Sequence, residues 1–232
     1  YRHWIKDSDL ISFNVVANQT DLYIRARRNL KNKALTSLLK HRAPLERYIA
    51  YHPFFLTTLK PYLAEEDAPA IVKEMAKASQ IADVGPMAAV AGAIAEAVGR
   101  DLLSLSPEVI VENGGDIFLK ILQKRMVGIY SGQSPFTGKI ALEITPEETP
   151  LGICTSSATI GHSLSLGSAD AVTTTAPSTS IADAVATAIG NMVNDTEDIP
   201  KAIEKAQKIK GLQGILIIKG DNIGIWGKVK IV

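Results

Sequence analysis

Between Val84 and Asp101 the chain reads VGPMAAVAGAIAEAVGRD, where Ala and Gly dominate and Glu96 is the one charge ahead of Arg100. Side chains this small let a second backbone come close, so the stretch from Met87 to about Asp101 is expected to be a mostly buried helix pressed against a neighbour. It falls short of the roughly 20 uninterrupted apolar residues that a membrane span needs. A fold that buries such a helix needs a broad apolar surface to set it on, and the rest of the chain supplies strands.

Ahead of it, SFNVVANQTDLYIRAR alternates apolar and polar residues around a polar turn, the pattern of an N-terminal β-hairpin. Residues 30–60 look helical, with Pro44, Pro53 and Pro61 expected to cut the helices short. Asp67 is a credible N-cap, with Pro69 early in a helix running to about Ala82. From Val109 to Ala176 the candidate strands are IVENGGDIF, RMVGIYSG, KIALEI, GICTSS and DAVTTTA. Helices are expected again at about 180–194 and 198–210, and GILIIKGDNIGIWGKV closes as a hairpin. Twice an Ala-rich helix precedes an apolar strand and a Gly-Asp turn, over 67–119 and 180–226, which hints at a duplicated unit. Helices bunched between runs of strands predict an α+β fold with helices packed on a mostly antiparallel sheet.

Composition narrows the function. The 232 residues are 46% hydrophobic and 21% charged with a net charge of +1, ordinary for a globular protein. Residues 1–60 carry 11 Lys/Arg against 4 Asp/Glu, and 61–232 carry 14 against 20. The cluster RARRNLKNK (25–33) supplies most of that excess. It reads as a solvated turn or as a surface for an anionic ligand. No aromatic-interleaved basic stripe or known reading motif speaks for nucleic acid. No basic n-region with an apolar h-region opens the chain, although Tyr1 in place of Met leaves a trimmed leader open. Cys154 stands alone, so no intrachain disulfide forms, which fits a cytoplasmic location.

Three stretches carry candidate chemistry. VENGGDIFL gathers Glu112, Asn113 and Asp116 around Gly114 and Gly115; it reads as a tight hairpin turn or as backbone that a ligand approaches between carboxylates. In SIADAVATAIGN, Asp183, Thr187 and Asn191 share one helical face at i, i+4, i+8. A carboxylate and a hydroxyl one turn apart suit a hard cation such as Mg²⁺, which takes its remaining oxygens from phosphates and water. TSSATIGHSLSLG (155–167) holds six hydroxyls, one histidine and no formal charge. Such a loop binds phosphate or a polar heterocycle through hydroxyl and backbone N–H groups. Nucleophilic catalysis by Cys154 or Ser156 with His162 is the rival reading, but no G-x-S-x-G elbow surrounds either one. A lone Cys is more often a small buried hydrophobe.

Taken in order, DVGPMAAVAGAIAEAVG, VENGGDIFL, CTSSATIGHSLSLG and ADAVATAIGN resemble the uncharacterised ApbE-like proteins, relatives of the ApbE-type FAD:protein FMN transferases. The resemblance covers nearly the whole chain, from TDLYIRA to IWGKV. It implies a single ApbE-like domain over 1–232 with T-fold-like character. Residues 1–60 would form its basic N-terminal hairpin and helices, and 61–232 the ligand-binding core. The transferases' A-D-A-L-S-T-A helix, whose Asp and Thr bind the Mg²⁺ on the FAD pyrophosphate, matches ADAVATA and places those roles on Asp183 and Thr187. Their G-G-D turn matches Gly114, Gly115 and Asp116, and their T-S-G loop matches Thr155, Ser156 and Ser157. The resemblance thus implies FAD or FMN as ligand, Mg²⁺ as cation and an acceptor protein as partner, with Asp183 and His162 as candidate catalytic residues. A homo-oligomer stays open.

Two departures bear on activity. A lysine in the transferases' G-G-x-A-K-G helix start falls here on Ala89 or Val90, and their H-x-x-D-P-x-T-G segment shrinks to HSLSLGSAD. A flavin-nucleotide processing enzyme and a non-catalytic module binding a nucleotide or other phosphorylated heteroaromatic ligand therefore both stand.

Overall fold

The protein is described from a computed structural model over residues 9–158 and 166–232. Its frame is an eight-stranded sheet in the order β1 (Ile11–Ala17), β2 (Thr20–Ala26), β3 (Val109–Asn113), β4 (Asp116–Lys120), β7 (Leu151–Ser156), β8 (Ala171–Ala176), β9 (Gly214–Lys219) and β10 (Asn222–Gly227). Every neighbouring pair in it is antiparallel. A hairpin of β5 (Arg125–Gly128) and β6 (Ala141–Ile144) forms a second, small sheet. The helices are α1 (Lys31–Tyr51), α2 (Pro53–Thr57), α3 (Ala70–Ala82), α4 (Val90–Leu103), α5 (Thr179–Gly190) and α6 (Ile199–Gln207).

Strand alternation sorts these parts into three layers. Val109, Val111, Phe118, Val172, Ile215 and Ile217 turn to one face and share a core with Leu38, Ile94, Val98, Val185 and Ile189 of the helices. Ile110, Leu119, Ile153, Leu216 and Ile218 turn to the other, against Val127, Leu142 and Ile144 of the hairpin. This is the expected α+β arrangement, helices on antiparallel sheet. The echo in the sequence is also visible: β1–β2, α1 to α4, then β3–β4 is followed by β7–β8, α5 and α6, then β9–β10. Hairpin, helices and hairpin recur side by side, and β4 pairs with β7 at the seam. The helix-side core draws on both halves.

The small-residue segment is buried as its composition requires. Its first turn, Pro86–Ala89, is 3₁₀, and α4 takes over at Val90. Gly99 is needed by packing: a Cβ there would lie 2.1 Å from the ring of Phe118, which is fully buried. On the next residue, the Arg100 guanidinium sits 5.6 Å above that ring. Among the described residues no single helix is long and apolar enough to cross a membrane.

Two expectations need correction. Pro44 does not end a helix; it lies inside α1. Its missing N–H costs one helical hydrogen bond, but Ala34, Leu38, Leu45 and Tyr48 anchor the helix on both sides of it. Asp67 does not cap α3: Pro69 occupies the N-cap with ψ 147° and no side-chain cap is made. Proline disfavours helical backbone at the residue before it, so the helix cannot begin ahead of Pro69.

Gly99→Ala should lower stability by about 1–3 kcal/mol through overpacking against Phe118. Urea unfolding checks this. In the double variant with Phe118→Leu the two losses should be markedly less than additive, because the smaller side chain at 118 opens the space that the added methyl group would fill.

Candidate functional site

Part of the predicted site, Asp183 and the 113–116 turn, comes together where α4 and α5 cross above the β4–β7 seam. Here α4 lacks a local cap: its N-cap is Ala89, and no acidic residue lies in its first turn. The carboxylate of Asp183, from the middle of α5, supplies one, accepting the Gly92 N–H at 2.8 Å and a bond from the Ala91 N–H. The favour is returned. Glu96 of α4 accepts the N–H of Thr179, first residue of α5, at 2.6 Å, and its other oxygen takes Arg100 at 2.8 and 2.6 Å. Each helix thus ends on a carboxylate carried by the other, where partial positive charge and unpaired N–H groups accumulate. Close approach makes this work: a Cβ on Gly92 would come within 2.5 Å of the Thr179 carbonyl and 2.8 Å of Asp183 Cβ.

The sheet brings up the remaining groups. Asn113 and Asp116 flank a two-residue turn, Gly114–Gly115, with Gly114 at φ +68°. Positive φ is cheap only for glycine. Gly115 serves packing, since a Cβ there would lie 2.8 Å from the Thr155 carbonyl, while a Cβ on Gly114 would meet nothing. Asn113 Nδ2 donates to the Ala91 carbonyl at 3.0 Å and ties the turn to the start of α4. Asp116 pairs in register with Cys154 across the seam.

Asn113, Asp116, Cys154, Ser156 and Asp183 therefore lie on the helix side of the sheet. Alternation sends Glu112 and Thr155 to the other side, where the Thr155 hydroxyl is 2.8 Å from that of Thr173. Ser157 follows directly after β7. Thr187 lies one turn beyond Asp183 on α5 and is half-buried. His162 falls outside the described residues. Sequence reasoning missed Glu96, although a single charge in an apolar helix was the available signal.

The electrostatics of this cluster are unusual. Burial, with the Glu112 charge adding to it, pushes Asp116 up from 3.8 to about 7 against the opposing bonds from Cys154 and Thr155. Burial first, then the Asp116 charge, pushes Asp183 well above the usual carboxylate range. Burial and both carboxylates push the Cys154 thiol up as well, and its Sγ lies 3.4 Å from the Thr179 carbonyl. A fully buried thiol held protonated is a poor nucleophile, so Cys154 reads as core. Among the described residues the two crowded carboxylates meet only neutral donors, an incomplete arrangement that a cation would complete. Among the described residues no group of three or more His, Cys, Asp and Glu could cage a metal. The donors fit a hard cation that brings most of its own ligands.

Other features lie apart. A cavity of about 490 Å³ is walled by Glu74, Glu96, Arg100, Ser178 and Ser180, with none of the predicted site residues. In the basic cluster, Arg27 is paired with buried Glu108 at 2.9 Å, and Arg28 donates to the Leu105 carbonyl at 2.8 Å.

The family described as AbpE bacteria matches residues 2–225. The chain belongs to that family. It is 48% identical over 202 residues to a UPF0280 protein of Methanocaldococcus jannaschii, covering 85% of this chain and 82% of the relative. With a UPF0280 protein of Methanopyrus kandleri it shares 41% over 226 residues, 94% of this chain and 91% of the relative. Solved structures agree on the fold. "Flavin Transferase ApbE from Vibrio cholerae" superposes with a TM-score of 0.61 at 14% identity, covering 94% of this chain and 96% of that one. The apo form of a Pseudomonas stutzeri flavinyl transferase ApbE gives 0.57 at 13% identity, covering 94% of each chain.

The buried acid pair has a pH signature. Between about pH 4 and pH 7 the folded state holds a proton on Asp116 that the unfolded chain has released, so stability should fall as pH rises across that window. Asp183, raised for the same reason, adds in the same direction. Urea unfolding of Asp116→Asn should show a visibly flatter slope over the window than the native chain.

Proposed function

We propose that this protein binds a flavin nucleotide, FAD or FMN, at the junction of the 113–116 turn, the end of β7 and α5, together with Mg²⁺. The observation that carries the reading is the Asp183 carboxylate, 9% exposed, held at the head of α4, where burial and then the Asp116 charge press its pKa upward. One carboxylate pair in excess at a helix N-terminus suits a cation that arrives with a pyrophosphate: the cation answers the carboxylates, and the phosphates answer the backbone N–H groups. Asp183 and Thr187 would hold the ion. Bound there, Mg²⁺ would neutralise the pyrophosphate and favour cleavage of its P–O bond. Ser156 and Ser157, at the end of β7, would offer hydroxyls to the same ligand. The solved flavin transferases that share the fold support the flavin as the nucleotide. An acceptor protein would then be the second substrate, as the resemblance implies.

A second reading, binding without turnover, has its own observation. Ala89, fully buried, and Val90, half-buried, occupy the start of α4 where the transferases' lysine falls. No ammonium group is offered at that point of the site. The lone buried Cys154 supports the expected cytoplasmic setting.

Isothermal titration of FAD with and without Mg²⁺ decides the first reading. Native protein should bind FAD more tightly with Mg²⁺, and Asp183→Asn should weaken that affinity on the order of thirtyfold or more. The amide oxygen still accepts from Gly92, so the variant should remain folded. Equal affinity in all four titrations would overturn the assignment. Chromatography of the same mixtures separates the two readings: release of FMN and AMP marks an enzyme, and intact FAD marks a binding module.

A further inference from the structure

The cavity of about 490 Å³ that the flavin reading leaves unused has the size of a small-molecule site. Four helices wall it: α1 through His41, α3 through Glu74, α4 through Glu96 and Arg100, and the start of α5 through Ser178 and Ser180. Small side chains leave the space open. Buried Ile71 and Ala93 and half-buried Ala97 give the wall its apolar part. Ser180 is buried too, and its hydroxyl lies 2.9 Å from that of Ser178.

Most of the charge around the cavity is already spent. Glu96 gives one oxygen to the Thr179 N–H at 2.6 Å and the other to Arg100. His41 Nε2 is 3.0 Å from Asp101, which also pairs with Lys40 at 3.1 Å. Lys73, next to Glu74 in sequence, donates to the Glu66 carbonyl at 3.0 Å.

Two charged groups keep capacity to spare. Glu74 is exposed and makes no ion pair among the described residues, with Arg100 and Lys77 included. Arg100 commits Nε and Nη2 to Glu96 at 2.8 and 2.6 Å, and its Nη1 has no partner among the described residues. The Glu96 bonds and the Phe118 ring, 5.6 Å from the guanidinium, hold that group in a fixed plane. Its Nη1–Nη2 edge is therefore presented ready-made for a carboxylate. Glu74, on a different wall, suits an ammonium group.

These leftovers select the ligand. A nucleotide or other polyanion would meet two carboxylates, Glu74 and Glu96, against one guanidinium. A bare amine would leave Arg100 unanswered, and a simple fatty carboxylate would leave Glu74 so. A molecule with one carboxylate, one ammonium group and an apolar body answers every part of the lining.

We propose that this cavity is a second binding site, for a small apolar zwitterion of the class of hydrophobic amino acids and dipeptides. Its carboxylate meets Arg100, its ammonium group meets Glu74, and its apolar body lies against Ile71, Ala93 and Ala97. The flavin reading is independent of this proposal, because the cavity contains none of the proposed flavin contacts.

Isothermal titration of the full chain with L-leucine and with leucyl-leucine, without FAD or Mg²⁺, tests it. At least one probe should give saturable heat, and the tighter of the two tells amino acid from dipeptide. N-acetylation and C-amidation of that probe should each weaken binding roughly fivefold or more, the scale of a partly exposed charge pair. Glu74→Gln should weaken the free probe by a similar factor and leave the affinity of the acetylated probe unchanged. Far-UV circular dichroism of this variant should match the native chain, since Glu74 is exposed and unpaired. Ala97→Leu, which fills the cavity, should block both probes. No saturable heat at millimolar concentrations would overturn the proposal. So would blocked probes that bind as well as free ones, Glu74→Gln weakening free and acetylated probes equally, or binding that survives Ala97→Leu. Displacement of the bound probe by inorganic phosphate would also overturn it, in favour of a plain anion site.

Discussion

The α4–α5 crossing depends on an exchange of carboxylates. Neither helix can cap itself fully from local sequence: α4 begins at alanine and valine, and the nearest α5 cap, from Ser178, is long at 3.5 Å. Asp183 and Glu96 solve both problems at once, each reaching across the crossing to the other helix's first turn. Buried N–H groups without partners are costly, so the two side chains fix how the helices sit. Gly92 allows the approach that brings them within reach. The candidate site follows from this geometry, because Asp183 stands where it does in order to meet α4.

The architecture explains why the site lies at that crossing. Each half of the chain contributes a hairpin, helices and another hairpin, and the halves meet at the β4–β7 pairing and at the α4–α5 contact. Asp116 and Asn113 come from the first half, Asp183 and Ser156 from the second. Neither half alone could assemble the cluster. Gly152 is part of the same join, since a Cβ there would meet Thr179 Cα at 2.5 Å.

Much of this was legible in the sequence because it rests on local pattern. Period-2 alternation marked the β1–β2 hairpin, and an apolar run followed by a Gly-Asp turn marked β9–β10. The small-residue run marked α4, and the spacing of Asp183 and Thr187 put them on one helix face. What stayed hidden was long-range. Nothing near Ala89 announces that its helix is capped by a residue from the other half of the chain, and Gly99 gives no sign that it makes room for Phe118. The NGGD turn shows the same limit. Its two glycines look alike in sequence, yet Gly114 serves the turn and Gly115 serves the approach of Thr155. Pro44 and Asp67 misled because local propensity yielded to packing in one case and to a following proline in the other.

The shared caps also make the first turn of α4 a local gauge of what happens at Asp183. One oxygen of that carboxylate keeps the Gly92 amide proton from water. Any charge that arrives at Asp183 competes with, or reinforces, its bonds to the start of α4, and the amide protons of Ala91 and Gly92 register the change as slower or faster exchange with solvent. The helix end that looks like a structural detail is then the most direct reporter of occupancy the chain possesses, readable without knowing what the ligand is.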